Sequence, residues 1–195
     1  MRTYVIRRFT RWADIAPLDI DVALWRDAGD IAAQAQIAWD DQAICVRLVA
    51  REAAIRAVET GPLGHPWEDS CLEFFFAPVA GDPRYINIEF NKNACCCLGL
   101  GDGAERTRLI PERDWLQPRA FDTADGWGIE YRVPFGLIRQ LFPGFDPRPG
   151  DILRANCYKC GDKTEREHFL AWNPVASDTP NFHRPQDFGE MRFEG

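Results

Sequence analysis

Between Trp67 and Asn91 the chain reads WEDSCLEFFFAPVAGDPRYINIEFN, two alternating runs interrupted by Pro78, Gly81, Asp82 and Pro83. Successive side chains of a strand point to opposite faces, so a period of two predicts two strands joined by a turn. In the first strand Leu72, Phe74 and Phe76 share one face, and Cys71, Glu73 and Phe75 share the other. In the second, Ile86, Ile88 and Phe90 oppose Tyr85, Asn87, Glu89 and Asn91. Pairing the two apolar faces gathers Glu73, Asn87, Glu89 and Asn91 on the far side of the sheet. Carboxamides are poor strand formers. Their presence here, beside Trp67, Phe75 and Tyr85, points to a ligand-facing surface rather than a solvated row.

The same alternation recurs along the chain. Tyr4–Ile6 predicts an edge strand, followed by irregular wrapping through Trp12, Pro17 and Trp25. Ala33, Ala35, Ile37 and Trp39 share a face, Asp40-Asp41 makes a hairpin turn, and Ile44, Val46 and Leu48 continue in the next strand. Glu52–Val58 is compatible with a helical turn, and Thr60–Pro66 is a loop. Ala94–Leu100 is a further strand; the glycines after it lack the helix and lysine of a phosphate loop and form a turn. Trp115–Pro118 and Thr123–Trp127 frame a hairpin. Trp127, Ile129, Tyr131 and Val133 alternate with Glu130 and Arg132 up to Pro134, which opens a short helix over 135–142. Leu153, Ala155 and Cys157 face inward while Arg154, Asn156 and Tyr158 face out; His168–Trp172 and Gly189–Phe193 are the last strands. Short strands, frequent Gly/Pro turns and one or two short helices predict an all-β chain. The expected architecture is a β-sandwich of mostly antiparallel strands, jelly-roll or immunoglobulin-like, in one domain over residues 1–195.

Composition narrows the partners. The chain has 195 residues, 46% of them hydrophobic, enough for one sizeable core. Its net charge of −7 excludes a phosphate-backbone partner, which needs a basic face. No apolar run approaches the ~18 residues of a membrane span. MRTYVIRRFTRW carries charge without an apolar signal core, so the expected location is the cytoplasm. Seven cysteines include the run Cys95–Cys97 and a C-x-x-C at Cys157 and Cys160. Three adjacent cysteines do not complement one C-x-x-C pair as a tetrahedral zinc site, and no βαβ setting suggests a redox motif. Cys45, Cys71 and Cys157 are expected as small buried apolar residues.

Three kinds of chemistry are compatible with these residues. An indole stacks on the C–H face of a sugar ring while amides, carboxylates and basic groups bond its hydroxyls. Trp67 and Trp172 stand where strands meet loops, whereas Trp39 and Trp127 are in phase with buried positions. Glu73 and Glu89 would lie about 4.5–5.5 Å apart at Cβ if directly opposed, near the carboxylate spacing of a retaining glycosidase. Third, His65, His168 and His183 could ligate a metal or act as bases, but they are far apart in sequence without an H-x-x-x-H motif and are expected as satisfied loop or edge histidines.

WEDSCLEFFFAP, YINIEFN, GWGIEYRVPFGLI, RANCYKCGD, then HFLAWNPV and NFHRPQDFGEMRF, in that order, resemble the carbohydrate-binding module family 9-like proteins from about Trp39 to the C-terminus. The resemblance implies a β-sandwich holding a mono- or oligosaccharide between two tryptophans, with structural calcium. Trp67 is implied as one aromatic platform, Glu73 as a hydroxyl acceptor and Trp172 as the second platform. Asn87, Glu89, Asn91, Arg154 and Lys159 follow as hydroxyl partners by position. For calcium, Asp40-Asp41 and Asp82 are the available carboxylates, without a compact oxygen-ligand loop. The family, of whose stand-alone branch this pattern is typical, is related in architecture to DOMON-type sandwiches, some of which bind haem; a Met/His axial pair would need a methionine, and Met191 is the one besides Met1. The alternatives from other classes are a glycan-processing enzyme using Glu73 and Glu89, and a scaffold domain without a ligand.

Overall fold

The N-terminal strand β1 (Thr3–Arg8) joins two halves of the molecule. Thr3–Ile6 pairs in parallel with Glu190–Phe193, and Arg7 and Arg8 pair in parallel with Ala38 and Trp39. The sequence suggests an edge strand here; the structure places it centrally, because both of its edges find partners at opposite ends of the chain. The computed structural model describes residues 1–103, 105–110 and 115–195.

After β1 come β2 (Leu18–Ile20), β3 (Val22–Ala23), β4 (Ala32–Trp39) and β5 (Ala43–Arg51). Next are β6 (Cys71–Ala77), β7 (Tyr85–Asn91), β8 (Cys96–Gly101) and β9 (Arg106–Leu109). The C-terminal part holds β10 (Arg119–Thr123), β11 (Gly126–Pro134), the helix α1 (Phe135–Leu141), β12 (Ile152–Gly161), β13 (His168–Ala171) and β14 (Gly189–Phe193). Hydrogen bonding runs β10-β11-β5-β4-β1-β14-β12-β6-β7-β8-β9, with β2 on β4, and β13 joining β12 to β3. The result is an all-β, curled mixed sheet, parallel at β1 and antiparallel elsewhere among the described residues.

The alternating residues explain how the sheet folds on itself. Ile37, Trp39, Val46, Leu48, Ile129 and Val133 from one half share an apolar core with Leu72, Phe74, Phe76, Ile86, Ile88 and Leu153 from the other. Each fully buried Phe or Leu contributes roughly 1.5–3 kcal/mol, so this shared face is the main force bringing the halves together. Pro134 ends β11 in an extended conformation (φ −61°, ψ 136°) and caps α1, whose Phe135, Leu137 and Ile138 are buried.

Two local expectations fail. Residues 52–58 form no helix; Glu52 is buried and its carboxylate is held by Trp127 and Ser70, which draws the chain out of helical phase. Residues 115–118 are not a strand, and the hairpin begins at Arg119, which pairs with Glu130. All seven cysteines are buried and none forms a disulfide. Cys157 lies in the shared core whereas Cys160 lies on the opposite face, because positions three apart in a strand point opposite ways. The C-x-x-C pair therefore cannot chelate one ion.

Candidate functional site

The register of β12, β6, β7 and β8 lays the polar face out in rows. One row runs Tyr158, Glu73, Glu89, Cys97; the next runs Asn156, Phe75, Asn87, Gly99 and on to Arg108 of β9. Glu73 is thus directly opposed to Glu89. Asn87 donates from Nδ2 to Glu89 Oε1 at 2.8 Å, while its Oδ1 is buried without a partner among the described residues. A Cβ on Gly99 would stand 2.2 Å from that oxygen, so glycine is what lets the Asn87 amide lie there.

This face is roofed by the chain's tail. Phe182 stacks on Tyr158 (centroids 4.0 Å apart, planes 10°), and His183 stacks on Phe75 (5.1 Å, 25°). Between roof and sheet lies a cavity of about 570 Å³. Its floor carries Glu73, Asn87, Glu89 and Cys160. Its walls carry two indoles, Trp25 and Trp67, with Arg106, Arg108, Asp162 and Asn181. Trp67 is held in place by the loop before it: His65 stacks on it (4.8 Å, 27°), and the Arg108 guanidinium lies 5.4 Å from its centroid. Arg108 in turn donates to Gly64 O at 2.6 Å. Trp25 donates from Nε1 to Ser177 O at 2.6 Å and packs edge-on to Phe169. Its backbone sits in the left-handed region (φ 54°), a conformation that costs a non-glycine residue roughly 1–2 kcal/mol.

The electrostatics of the floor follow from burial. Glu73 is 2% exposed and Glu89 4%. Loss of water, then the neighbouring Cys160 and Glu89, raises the Glu73 pKa well above the carboxylate range. Burial lifts Glu89 to about 7 against the Asn87 hydrogen bond. Asp162 is raised to about 6, chiefly by burial and then by Glu167. Burial, and then Arg106, lowers His183 to about 3. Arg106 approaches His183 Nε2 and Tyr85 Oη lies 2.8 Å from Nδ1. If Arg106 donates to Nε2, the proton of the neutral ring is on Nδ1 and faces Tyr85.

Of the residues expected from sequence, Trp67, Glu73, Asn87 and Glu89 line the cavity. Four others do not. Trp172 is 3% exposed and packs in the shared core, so it offers no open face. Lys159 pairs opposite Leu72 and therefore points into the core, where it contacts Glu52 at 3.2 Å. Asn91 uses its whole amide internally: Nδ2 donates to Glu59 O and Asp69 Oδ2, and Oδ1 accepts from the amides of Asn93 and Cys95. Asp69 in turn accepts from the Val58 and Glu59 amides, so Asn91 fixes the loop that carries Trp67. Arg154 is on the polar face, but its Nη2 donates to the Phe188 and Gln186 carbonyls outside the cavity. The carboxylates considered for calcium carry arginine partners: Arg132 on Asp40, Arg8 on Asp41 and Arg84 on Asp82. Met191 is fully buried in the shared core.

Trp25, Arg106, Arg108, Asp162, Asn181 and His183 complete the cavity and were not singled out by the sequence as ligand contacts. Arg106 and Arg108 carried a signal, a polar period of two in ERTRL. Trp25 carried none, since it lies in an irregular segment.

Comparison with known proteins bears on the family and the fold. The model of carbohydrate-binding family 9 matches residues 8–193. No curated protein matches the chain. A candidate carbohydrate-binding protein from Bacteroides uniformis is 26% identical, with a TM-score of 0.84 and 99% of each chain covered. A family 9 module from Caldicellulosiruptor kristjanssonii, solved with glucose, is 14% identical with a TM-score of 0.71 over 100% of this chain and 96% of that one. The cellotriose complex of such a module, from the same organism, is 13% identical with a TM-score of 0.71, covering 100% and 94%.

Proposed function

We propose, from the premise that this chain belongs to carbohydrate-binding family 9, that it holds a mono- or oligosaccharide non-covalently in the cavity over the β6–β9 face. The observation that carries this reading is the composition of one cavity. Two indoles stand on its walls, and carboxylates, an amide and two arginines stand on its floor and rim. Indoles supply flat apolar area at low entropic cost. Each ring hydroxyl needs both a donor and an acceptor. Arg106 and Arg108 supply donors; Glu89, Asp162 and the unpartnered Asn87 Oδ1 supply acceptors. Trp25 takes the place that the sequence assigns to Trp172. The apolar core shared between the halves supports a sandwich in which this cavity occupies the outer face of one layer.

Calorimetric titration against glucose, cellobiose, cellotriose, xylobiose and galactose tests the reading. Saturable heat with at least one ligand is expected, lost in Trp25→Ala with the fold retained. Absence of heat with every sugar contradicts it.

A second reading rests on the direct opposition of Glu73 and Glu89, each with a raised pKa. A protonated carboxyl beside an ionisable one is the pairing a glycoside hydrolase uses. Release of reducing ends from oligosaccharides, abolished in both Glu73→Gln and Glu89→Gln, would establish it. Binding without turnover leaves the first reading standing alone.

A further inference from the structure

At the end of the floor nearest Trp67, two thiols and a carboxylate converge. Cys71 and Cys160 are directly opposed across β6 and β12, and Glu73 is the next residue of β6 on the same face. The ligating atoms of all three lie within 4.8 Å of one another, with Cys160 Sγ 3.0 Å from Glu73 Oε1. In a zinc tetrahedron with Zn–S near 2.3 Å, the sulfur–sulfur edge is about 3.8 Å, so small side-chain rotations close the set around an ion.

The charge balance of the site points the same way. Glu73 is buried, and among the described residues it accepts a hydrogen bond from the Cys160 thiol and enters no ion pair. A buried carboxylate needs a proton or a cation. Glu73 and Cys160 also line the cavity, so an ion bound by the three would keep one coordination position facing it. Sulfur donors select zinc-like ions over calcium or magnesium, which take oxygen.

We propose that Cys71, Cys160 and Glu73 form a three-ligand site for a thiophilic divalent cation of the zinc type, with the fourth position open to the cavity. Binding displaces the protons of two thiols and one carboxyl, so affinity rises with pH. The C-x-x-C motif misleads here: Cys160 takes part, but its partner is Cys71 on the neighbouring strand, while Cys157 faces the core. What occupies the open position rests on the saccharide reading; the three ligands do not.

The test is titration of the reduced 195-residue chain with Co²⁺, read by visible and thiolate charge-transfer absorption, with Zn²⁺ as competitor and no sugar present. One Co²⁺ per chain with tetrahedral, thiolate-bearing bands is expected, displaced by Zn²⁺. Cys71→Ala and Cys160→Ala should lose the bands, and Glu73→Gln should bind at least about tenfold more weakly. Cys157→Ala and Cys95→Ala should retain them, with circular dichroism reporting the fold of each variant. A folded wild type without these bands overturns the site, as do bands that persist in both folded Cys71→Ala and Cys160→Ala. Because the readout needs no sugar, its failure and that of saccharide binding are separate results.

Discussion

Two buried polar clusters lie on opposite faces of β6 and β12, and they differ in how fully they are satisfied. On the core face, Lys159 Nζ directs its three donors to Glu52 Oε1 (3.2 Å), His168 Nε2 (2.7 Å) and Cys160 O (3.0 Å). Glu52 also accepts from Trp127 Nε1 at 2.7 Å and Ser70 Oγ at 3.0 Å. His168 Nδ1 lies 2.7 Å from Arg166 O, which puts its proton there and leaves Nε2 free to accept from Lys159. Every charge has a partner, and the partners come from β11, β12, β13, the residue after β5 and the residue before β6. On the cavity face, among the described residues, Glu73 has one side-chain hydrogen bond, from a thiol, Glu89 has one, from an amide, and Asn87 Oδ1 has none. A closed network specifies a fold; an open one beside a cavity leaves bonds for a ligand.

The largest effect that breaks this comparison is on the core side. Lys159→Ala strands the Glu52 carboxylate in the core and should cost about 3–5 kcal/mol in urea unfolding. Lys159→Met with Glu52→Gln should cost less than the sum of the single changes, since the pair is removed together.

Next in size is a pH effect of opposite sign on the two faces. Glu89 holds its proton to about pH 7 when folded against 4.5 ordinarily. The unfolded chain ionises first, so this residue removes stability as pH rises through that window, by about 3 kcal/mol. Glu89→Gln should flatten that loss and stabilise the protein at neutral pH. His168 is lowered from 6.5 to about 4 by burial and then by Lys159. Its contribution is complete above 6.5 and lost as pH falls toward 4. His168→Gln should flatten the acid side instead. Between 4.5 and 6.5 the slopes oppose, so the single variants, compared by thermal melts across pH, separate them.

A smaller effect sharpens the role of the loop. Asn91→Ala removes the bonds that hold the Glu59–Asp69 loop and should destabilise by about 1–3 kcal/mol. It should weaken sugar binding through a displaced Trp67 without touching the cavity, which calorimetry and unfolding measured together would register.

Much of this was legible in the sequence where the information is local. The period of two in β6 and β7 put Glu73, Asn87 and Glu89 on one face, and the structure has them there. Lys159 shows phase overriding chemistry. Counted by twos from Leu153, Ala155 and Cys157 it belongs to the core, although a lysine by itself suggests the polar side. Trp172 stands directly after β13, where a strand meets a loop, yet its amide bonds Cys157 O and its ring is packed against Gly189. No periodicity reports that burial. Phe182 and His183 reach the site because the tail folds back over the sheet, and Trp25 because β3 pairs with β13 and sets it beside Phe169 and Ser177, long-range events that no local pattern encodes. The central position of β1 was hidden for the same reason: its partners are β14, at the far end of the chain, and β4.

The central claim, an open cavity face against a closed core face, is tested most directly by one paired titration with cellotriose. Trp67→Ala and Trp172→Phe are compared with the wild type by calorimetry, with melting temperature recorded for each. Trp67→Ala is expected to lose saturable binding at nearly unchanged stability, and Trp172→Phe to lose stability while the folded protein still binds. Binding that survives Trp67→Ala but disappears in folded Trp172→Phe would contradict the assignment of the two faces.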